Sequence, residues 1–457
     1  MPPWRSAACR WRCCRRCRRQ RRPHGGRARS AGRSPPDVAA TLAEALRRFG
    51  PEVLARRHAR GQPLTSAQAK AWRAILACRT PAMGGEHLCC PACGAEQWRW
   101  HSCRNRHCPR CQSRQREAWR RARGTELLDV PYCHLVFTLP HELNALAVAQ
   151  PRWVYGALFD AVAATLTQFA ADPRWLGGIG AFTLVLHTWT QDLRRHLHLH
   201  ALMACGALAR DADGQPHWQP PRRSATFLFP VHALSAVFKG KFLAALHEAE
   251  SGGRLRADPQ AHERVQRTQA LQAKPWVVYA KTALAGPAAV LDYLSRYTQR
   301  TAIGHERLRA VTAQSVRFVT RVNRKQRGRA EPSSTAQRRL TSLPGEEFVE
   351  RLLQHVLPSG FKRIRHYGLL APAAKAQRLG CARALLAMPA AQPATQEDVA
   401  EFMRRVAGID IATCPHCRGG RWVVLEQRGP QPCGPDERAM DESCSRACRG
   451  PPARTPG

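Results

Sequence analysis

The sequence predicts an α+β fold in which a helical, cysteine-rich module precedes a region of strands with flanking helices. Three observations predict it. Residues 37–78 carry apolar side chains at helical spacing. Residues 87–123 hold paired cysteines at metal-ligand spacing. Further along, strict two-residue alternation appears in "RRHLHLHALMACGAL" (Arg194 to Leu208), the period of a strand.

The elements follow in order. "DVAATLAEALRRFG" reads as a helix with Asp37 as N-cap and Gly50 as its stop, and "TSAQAKAWRAILAC" as a second helix capped by Thr65 or Ser66. His134 to Leu139 is an apolar run ended by Pro140, a strand. "RWVYGALFDAVAATLTQFAAD" is a helix. "GAFTLVLHTWTQ" and "RRHLHLHALMACGAL" are strands joined by a turn near Asp192. "SAVFKGKFLAALHEAE" and "GPAAVLDYLSRYTQRT" are helices; "LRAVTAQSVRFVTRV" and "GRAEPSSTAQRRLTSLP" are strands joined by basic turns; "GEEFVERLLQHVLP" is a helix. The expected organisation is a disordered arginine-rich leader (1–36), a helical and zinc-binding module (37–125), a catalytic domain (126–310), a basic strand and helix segment (311–390) and a largely disordered tail (391–457).

The net charge is +39, and of 72 basic residues only eight are lysine. Arginine's planar fork suits phosphate oxygens, so the excess implies a polyanionic partner, most simply nucleic acid. A GC-rich genome accounts for part of it. No stretch reaches the roughly 18–20 apolar residues of a membrane span, and the N-terminus lacks a signal peptide's apolar core. A cytoplasmic protein follows, with its 19 cysteines reduced and those in CxxC pairs acting as metal ligands. No glycine loop for a nucleotide cofactor is present.

Cys90-x2-Cys93 and Cys108-x2-Cys111 are separated by fourteen residues, the spacing of a closed tetrahedral zinc site. Cys103 and His107 between them are possible extra ligands; Cys89 is a bystander. Eight arginines against one glutamate lie between Cys103 and Arg123. Among them Arg104, Arg106, Arg110 and Arg114, with Trp98, Trp100 and Trp119 nearby, suit a DNA backbone and unstacked bases. The competing reading is a zinc module that only packs or binds protein.

Alternation puts His196, His198 and His200 on one face of a strand, with Leu197 and Leu199 on the other. Two imidazoles two residues apart can share a metal ion, and the preceding strand brings Gln191 or His187 within reach as a third ligand. Tyr293 and Tyr297, in "YLSRY", are one helical turn apart and share a face. Core packing explains such a pair equally well when it stands alone.

"FTLPHEL", "LHTWTQ", "HLHLH" and "YLSRYTQR", preceded by "SCRNRHCPRCQ", resemble the two-tyrosine rolling-circle transposases of insertion sequences, the family typed by insertion sequence ninety-one. These are HUH single-strand nucleases. "LPGEEFVERLLQHVLPSGFKRIRHYGLL" resembles the family's C-terminal segment, so the likeness spans roughly Asp37 to Leu386. It implies an HUH-nuclease domain built on an antiparallel sheet behind a zinc-binding module. By this resemblance His198-Leu199-His200 is the HUH element and Tyr293 and Tyr297 are nucleophiles. Gln191 stands where related nucleases place the third ligand, with His187 and His196 as alternatives.

The implied chemistry is cleavage and rejoining of single-stranded DNA at element ends. Mg²⁺ or Mn²⁺ on His198, His200 and Gln191 would polarise the scissile phosphate, and a tyrosine would attack it to form a 5′-phosphotyrosine. Arg296 or Arg300 could help lower the phenol's pKa. "RVNRKQRGR" (Arg321 to Arg329) is a basic loop suited to DNA. Tyr367 in "FKRIRHYGLL" is a DNA contact or core residue. Cys414-x2-Cys417 resembles half a zinc ribbon, with partners sought among Cys381, Cys433, Cys444, Cys448 and His416. The rivals are a rolling-circle replication initiator and a non-catalytic zinc-dependent DNA-binding regulator. The histidine run lacks the aspartate of HxHxDH metallo-hydrolases.

Overall fold

The computed structural model describes residues 40–223, 228–255, 268–284, 289–290, 301–321, 338–392 and 396–431, without the side chains of Gln112 and residues 282–284. The leader, most of the tyrosine helix, most of the basic loop after Arg321 and residues 432–457 lie outside the described residues. So do Asp37, Tyr293, Tyr297, Arg296 and Arg300.

Helix α1 (Leu42–Ala59) starts at Thr41, whose hydroxyl accepts from the Glu44 N–H while Glu44 reaches back to the Thr41 N–H, a capping box. It does not stop at Gly50. The helix runs on through Gly50 and Pro51, because Gly50 is the point of closest approach to α2 (Ser66–Ala77): a Cβ there would lie 2.4 Å from the Trp72 ring. Thr65 caps α2 with a second capping box, through Gln68.

Three antiparallel sheets follow. The smallest ribbon joins β1 (Gly85–Cys89), β2 (Glu96–Trp100) and, from the far end of the chain, β12 (Val423–Arg428), in the order β12-β1-β2. The central sheet is ordered β11-β4-β5-β3-β7. It is built from β3 (Tyr132–Thr138), β4 (Ile179–Trp189), β5 (Arg195–Arg210), β7 (Val278–Leu284) and β11 (Ile364–Gly368), with β6 (Pro216–Gln219) also paired to β5. The third sheet is β8 (Leu308–Val311), β9 (Ser315–Arg321) and β10 (Arg338–Pro344). Residues 308–321, expected as one strand, form the β8–β9 hairpin, because Thr312 and Ser315 close a turn.

One face of the central sheet is covered by α5 (Pro151–Ala171) and α6 (Val231–Ser251). Leu197, Leu199, Ala201 and Met203 of β5 join Leu158, Phe159, Phe238 and Phe242 in the main core. Against the sequence expectation, α5 is long and apolar enough by composition to cross a membrane; it is 67% buried here as a core helix. Among the described residues, the opposite face is covered at one end. There Leu202 and Ala204 join Leu128, Leu379 and Ala382, the last two from α8 (Lys375–Leu385).

The expected domains share a core. Leu46 and Phe49 of α1, Trp72 of α2, Leu193 at the β4–β5 turn, Phe318 of β9 and Phe348 of α7 (Gly345–Leu353) belong to one buried cluster. Arg56–Glu346 and Arg57–Glu350 ion pairs tie α1 to α7. The tail expected from residue 391 to be largely disordered is folded over residues 398–428. Asp398 and Glu401 form a capping box on α9 (Val399–Ala407), and β12 pairs with β1.

Gly50→Ala is expected to destabilise the chain by about 1–3 kcal/mol through overpacking against Trp72. Thermal unfolding would register it as a lowered Tm, and an unchanged Tm would mean the two helices part freely.

Candidate metal centres and nucleic-acid face

The β4–β5 hairpin sets the first centre. His187 lies directly opposite His198, and Val185 opposite His200. Even-numbered residues of β5 from His198 to Leu202 face away from the helices, so both histidines emerge on the side of the sheet that α5 and α6 leave free. Ring nitrogens of His187, His198 and His200 lie within 4.8 Å of one another. Metal–imidazole bonds of about 2.0–2.1 Å put ligand nitrogens roughly 3–3.4 Å apart, which small side-chain rotations reach. The residues therefore fit a single divalent ion.

Neighbouring groups fix which nitrogen is presented. His198 Nδ1 lies 3.1 Å from the His196 carbonyl, and His200 Nδ1 lies 2.8 Å from His134 Nε2. Each contact leaves Nε2 for a ligand role. His134 comes from β3, where it neighbours Leu202 in register, and its ring stacks on His200. Burial, with the nearby His196, pushes His198 down to about 4. Burial, then Lys281 and His198, does the same for His134. Both are neutral at physiological pH, the form that binds metal.

Gln191 does not sit in the strand beside these rings. It lies in the turn, where its carbonyl accepts from Arg307. The next two turn carbonyls are also held: Arg351 donates to Asp192 O at 2.8 Å and His355 Nε2 to Leu193 O at 2.9 Å. Leu193 takes a positive φ of 63° to close the turn. Paired strand geometry thus puts His187, the alternative left open by the strand reading, where the family resemblance had put Gln191. His196 is exposed, with its ring 4.9 Å from His198 and outside the three-nitrogen cluster. Tyr367 lies on the other face of the sheet, stacked on Phe182 at 5.3 Å and packed against the main core.

The four cysteines expected to share one zinc do not converge. Cys108 and Cys111 gather with Cys78 and Cys103, while Cys90 and Cys93 gather with Cys414 and Cys417; each quartet's sulfurs lie within 4.8 Å of one another. Two adjacent CxxC turns are held apart by β2, which hydrogen-bonds along β1 and carries the chain away from Cys93. In the first quartet the Cys78–Cys111 and Cys103–Cys111 sulfur distances are 3.4 and 3.6 Å. Hydrogen bonding by Cys103 and Cys108 pulls the Cys78 thiol down to about 7. Cys103 is thus in a quartet, and His107 is in neither. Burial, followed by the charges of Arg106, Arg363 and His355, pushes His107 down to about 3. Cys78 closes α2, and its role was hidden because it has no CxxC partner.

The arginines divide as well. Arg104 and Arg110 are exposed. Arg106 donates to the carbonyls of Phe361 and Pro358 and is an internal strut, whereas Arg114 is exposed and donates to the Glu397 carbonyl at the surface. Lys281 and Tyr279 of β7, neighbours of His134 and Val136, stand exposed on the histidine face; sequence reading passed over them because the strand itself was not recognised. On the ribbon, Trp98 stacks on Trp100 and His87, with Arg428 4.4 Å above Trp98.

A family model described as "Putative transposase" matches residues 180–378, and one described as "Transposase zinc-binding domain" matches residues 45–139. The protein named "Putative transposase y4qJ", from Sinorhizobium fredii, is 38% identical over 403 residues, covering 86% of this chain and 96% of its own length. The transposase for insertion sequence element IS801 of Pseudomonas savastanoi pv. phaseolicola is 28% identical over 360 residues, covering 76% of this chain and 81% of its own length. A metal-bound conjugative relaxase TrwC in complex with oriT DNA aligns over 36% of this chain and 70% of that one, at 16% identity and a TM-score of 0.18.

Three histidines outside the three-nitrogen cluster, His134, His355 and His366, are each held near 4 chiefly by burial. The ordinary imidazole value is about 6.5, so as pH falls the unfolded chain takes up protons first. The stability these groups contribute is complete above about 6.5 and is lost as pH falls toward 4. The urea midpoint of chelator-treated protein should therefore drop between pH 6.5 and 5, before most carboxylates titrate. A midpoint constant over that range would contradict the assignment.

Proposed function

Because this chain belongs to the IS91-type insertion-sequence transposases, we propose that it cleaves and rejoins single-stranded DNA at element ends through a covalent 5′-phosphotyrosine. The observation that carries this reading is the clustering of His187, His198 and His200 on one face of the central sheet. Val290, three residues before Tyr293, is fully buried with Leu202 and Ala204 on that same face. Ala302 and Ile303, just beyond Tyr297, are buried with Leu193 at the far end of β5. The flanks of the tyrosine segment thus bracket the histidines along β5, which supports Tyr293 and Tyr297 as the nucleophiles.

In this reading His187, His198 and His200 hold the divalent ion, with His187 in the role first given to Gln191. An all-imidazole set favours Mn²⁺ over Mg²⁺. The ion, when bound, withdraws charge from the scissile phosphate. His134 keeps His200 oriented through its hydrogen bond. A phenolate oxygen attacks phosphorus in line and the bond to the 3′ oxygen breaks. That oxygen leaves as a 3′ hydroxyl after taking a proton, and the 5′ phosphate stays on the tyrosine. Attack by a 3′ hydroxyl on the phosphotyrosine reverses the step and rejoins a strand. Two tyrosines allow two linked transfers. Arg296 lies between the two tyrosines in sequence and Arg300 follows them, and either would favour the phenolate. Lys281, Tyr279, Arg104 and Arg110 offer cationic and aromatic contacts to the strand.

The test is a single-stranded oligonucleotide carrying an element end, incubated with protein and Mn²⁺. A covalent protein–DNA adduct is expected, and Tyr293→Phe with Tyr297→Phe should abolish it while DNA binding persists. An adduct surviving in that double variant would remove both nucleophile assignments. His187→Ala should reduce cleavage far more than Gln191→Ala. Independently, His134→Ala should weaken Mn²⁺ affinity by about 10–100-fold, measured by titration calorimetry, as loss of an outer-shell partner does.

A further inference from the structure

The second cysteine quartet draws its two halves from opposite ends of the described chain, and only one half falls within the zinc-binding region matched at residues 45–139. We propose that Cys90, Cys93, Cys414 and Cys417 bind a second structural Zn²⁺, independent of the ion at Cys78, Cys103, Cys108 and Cys111. This ion clasps residues 396–431 onto the N-terminal module.

The two turns are built alike. Each reads Cys-Pro-X-Cys followed by a residue of positive φ, Gly94 at 71° and Arg418 at 57°. Gly94 N–H donates to Cys90 O at 2.8 Å, and Arg418 N–H to Cys414 O at 2.9 Å. Each turn is then closed on its first cysteine: Cys90 N–H donates to Ala95 O and Cys414 N–H to Gly420 O. Two such knuckles facing each other across a short sheet supply four sulfurs in a closed arrangement. β1 and β12, which hold them in place, pair from Gly85–Arg428 to Cys89–Val423.

The local chemistry favours thiolate. Gly420 N–H points at Cys417 Sγ from 3.3 Å, a contact a charged sulfur strengthens. Space is also reserved for sulfur: a Cβ on Gly420 would lie 2.4 Å from Cys90 Sγ, so only glycine fits there. Cys90–Cys417 and Cys93–Cys414 sulfur distances of 3.7 and 3.8 Å are far from the roughly 2.05 Å of a disulfide. All four lie within one metal's reach instead of forming two bonded pairs.

Charge completes the clasp beyond the ion. Glu397, ahead of α9, meets Arg121 of α3 (Gln112–Gly124) at 3.2 Å, and Arg405 of α9 meets Glu117 at 3.1 Å. The same two helices thus bring the second knuckle close and keep the basic face of α3 partly covered.

Zinc per chain decides the proposal, measured by elemental analysis in a His198→Ala/His200→Ala background that removes the histidine centre. Two ions per chain are expected. Cys414→Ser with Cys417→Ser should lower the value to one, while Cys381→Ser leaves it at two. Limited proteolysis of the double serine variant should then release the segment beyond about residue 396 several-fold faster. One ion per chain in the parent background overturns the proposal whatever the serine variant's solubility. So does a serine variant that still holds two, or four cysteines recovered as disulfides.

Discussion

The site depends on the register between β4 and β5. Opposition of His187 and His198 exists only in this pairing, and a slip of β5 by one residue would turn His198 and His200 toward α5 and α6. Three donors from distant parts of the chain hold the turn that sets it. Arg307, Arg351 and His355 each take one of the successive carbonyls of Gln191, Asp192 and Leu193. The geometry of the histidine cluster rests on these bonds to the turn. His355 can serve only while neutral at Nδ1, which accepts from the Thr188 hydroxyl, and its burial keeps it so.

What the sequence disclosed divides by distance along the chain. The run His196 to His200 was legible because a two-residue period has one structural meaning, and the leucines between occupy the main core. The CxxC pairs were legible as knuckles. Their partnering was not, since adjacency in sequence suggested Cys90 with Cys108, while the fold joins Cys90 to Cys417, 327 residues away. Strand spacing left Gln191 and His187 both open and the family resemblance favoured Gln191; only the tight turn, with Leu193 in the left-handed region, shows that the earlier residue is the one beside His198. Gly50 misled for a related reason. Its sequence value as a helix stop was overridden by a close contact with Trp72.

The arginine surplus likewise has two uses. Arg106 and Arg383 are consumed internally on backbone carbonyls, while exposed Arg114 spends one N–H on the Glu397 carbonyl. Such struts tie the N-terminal module to the end of the chain, and the shared core of α1, α2, β9 and α7 does the same with apolar surface. A reading that counts every basic side chain near a zinc knuckle as a phosphate contact overstates the nucleic-acid face. Exposed Arg104, Arg110, Arg114 and Lys281 remain for that role.

Pairing of β1 with β12 has a consequence for biosynthesis. The first strand emerges from the ribosome more than three hundred residues before its partner, as the 327-residue separation of Cys90 and Cys417 indicates. At about 5–20 residues per second, that interval lasts roughly 16 to 65 s. Throughout it the early knuckle waits with half its sulfurs and an open strand edge. A nascent chain interrupted before the late segment would never complete the ribbon, so completion of this small sheet reports that translation has reached its far side.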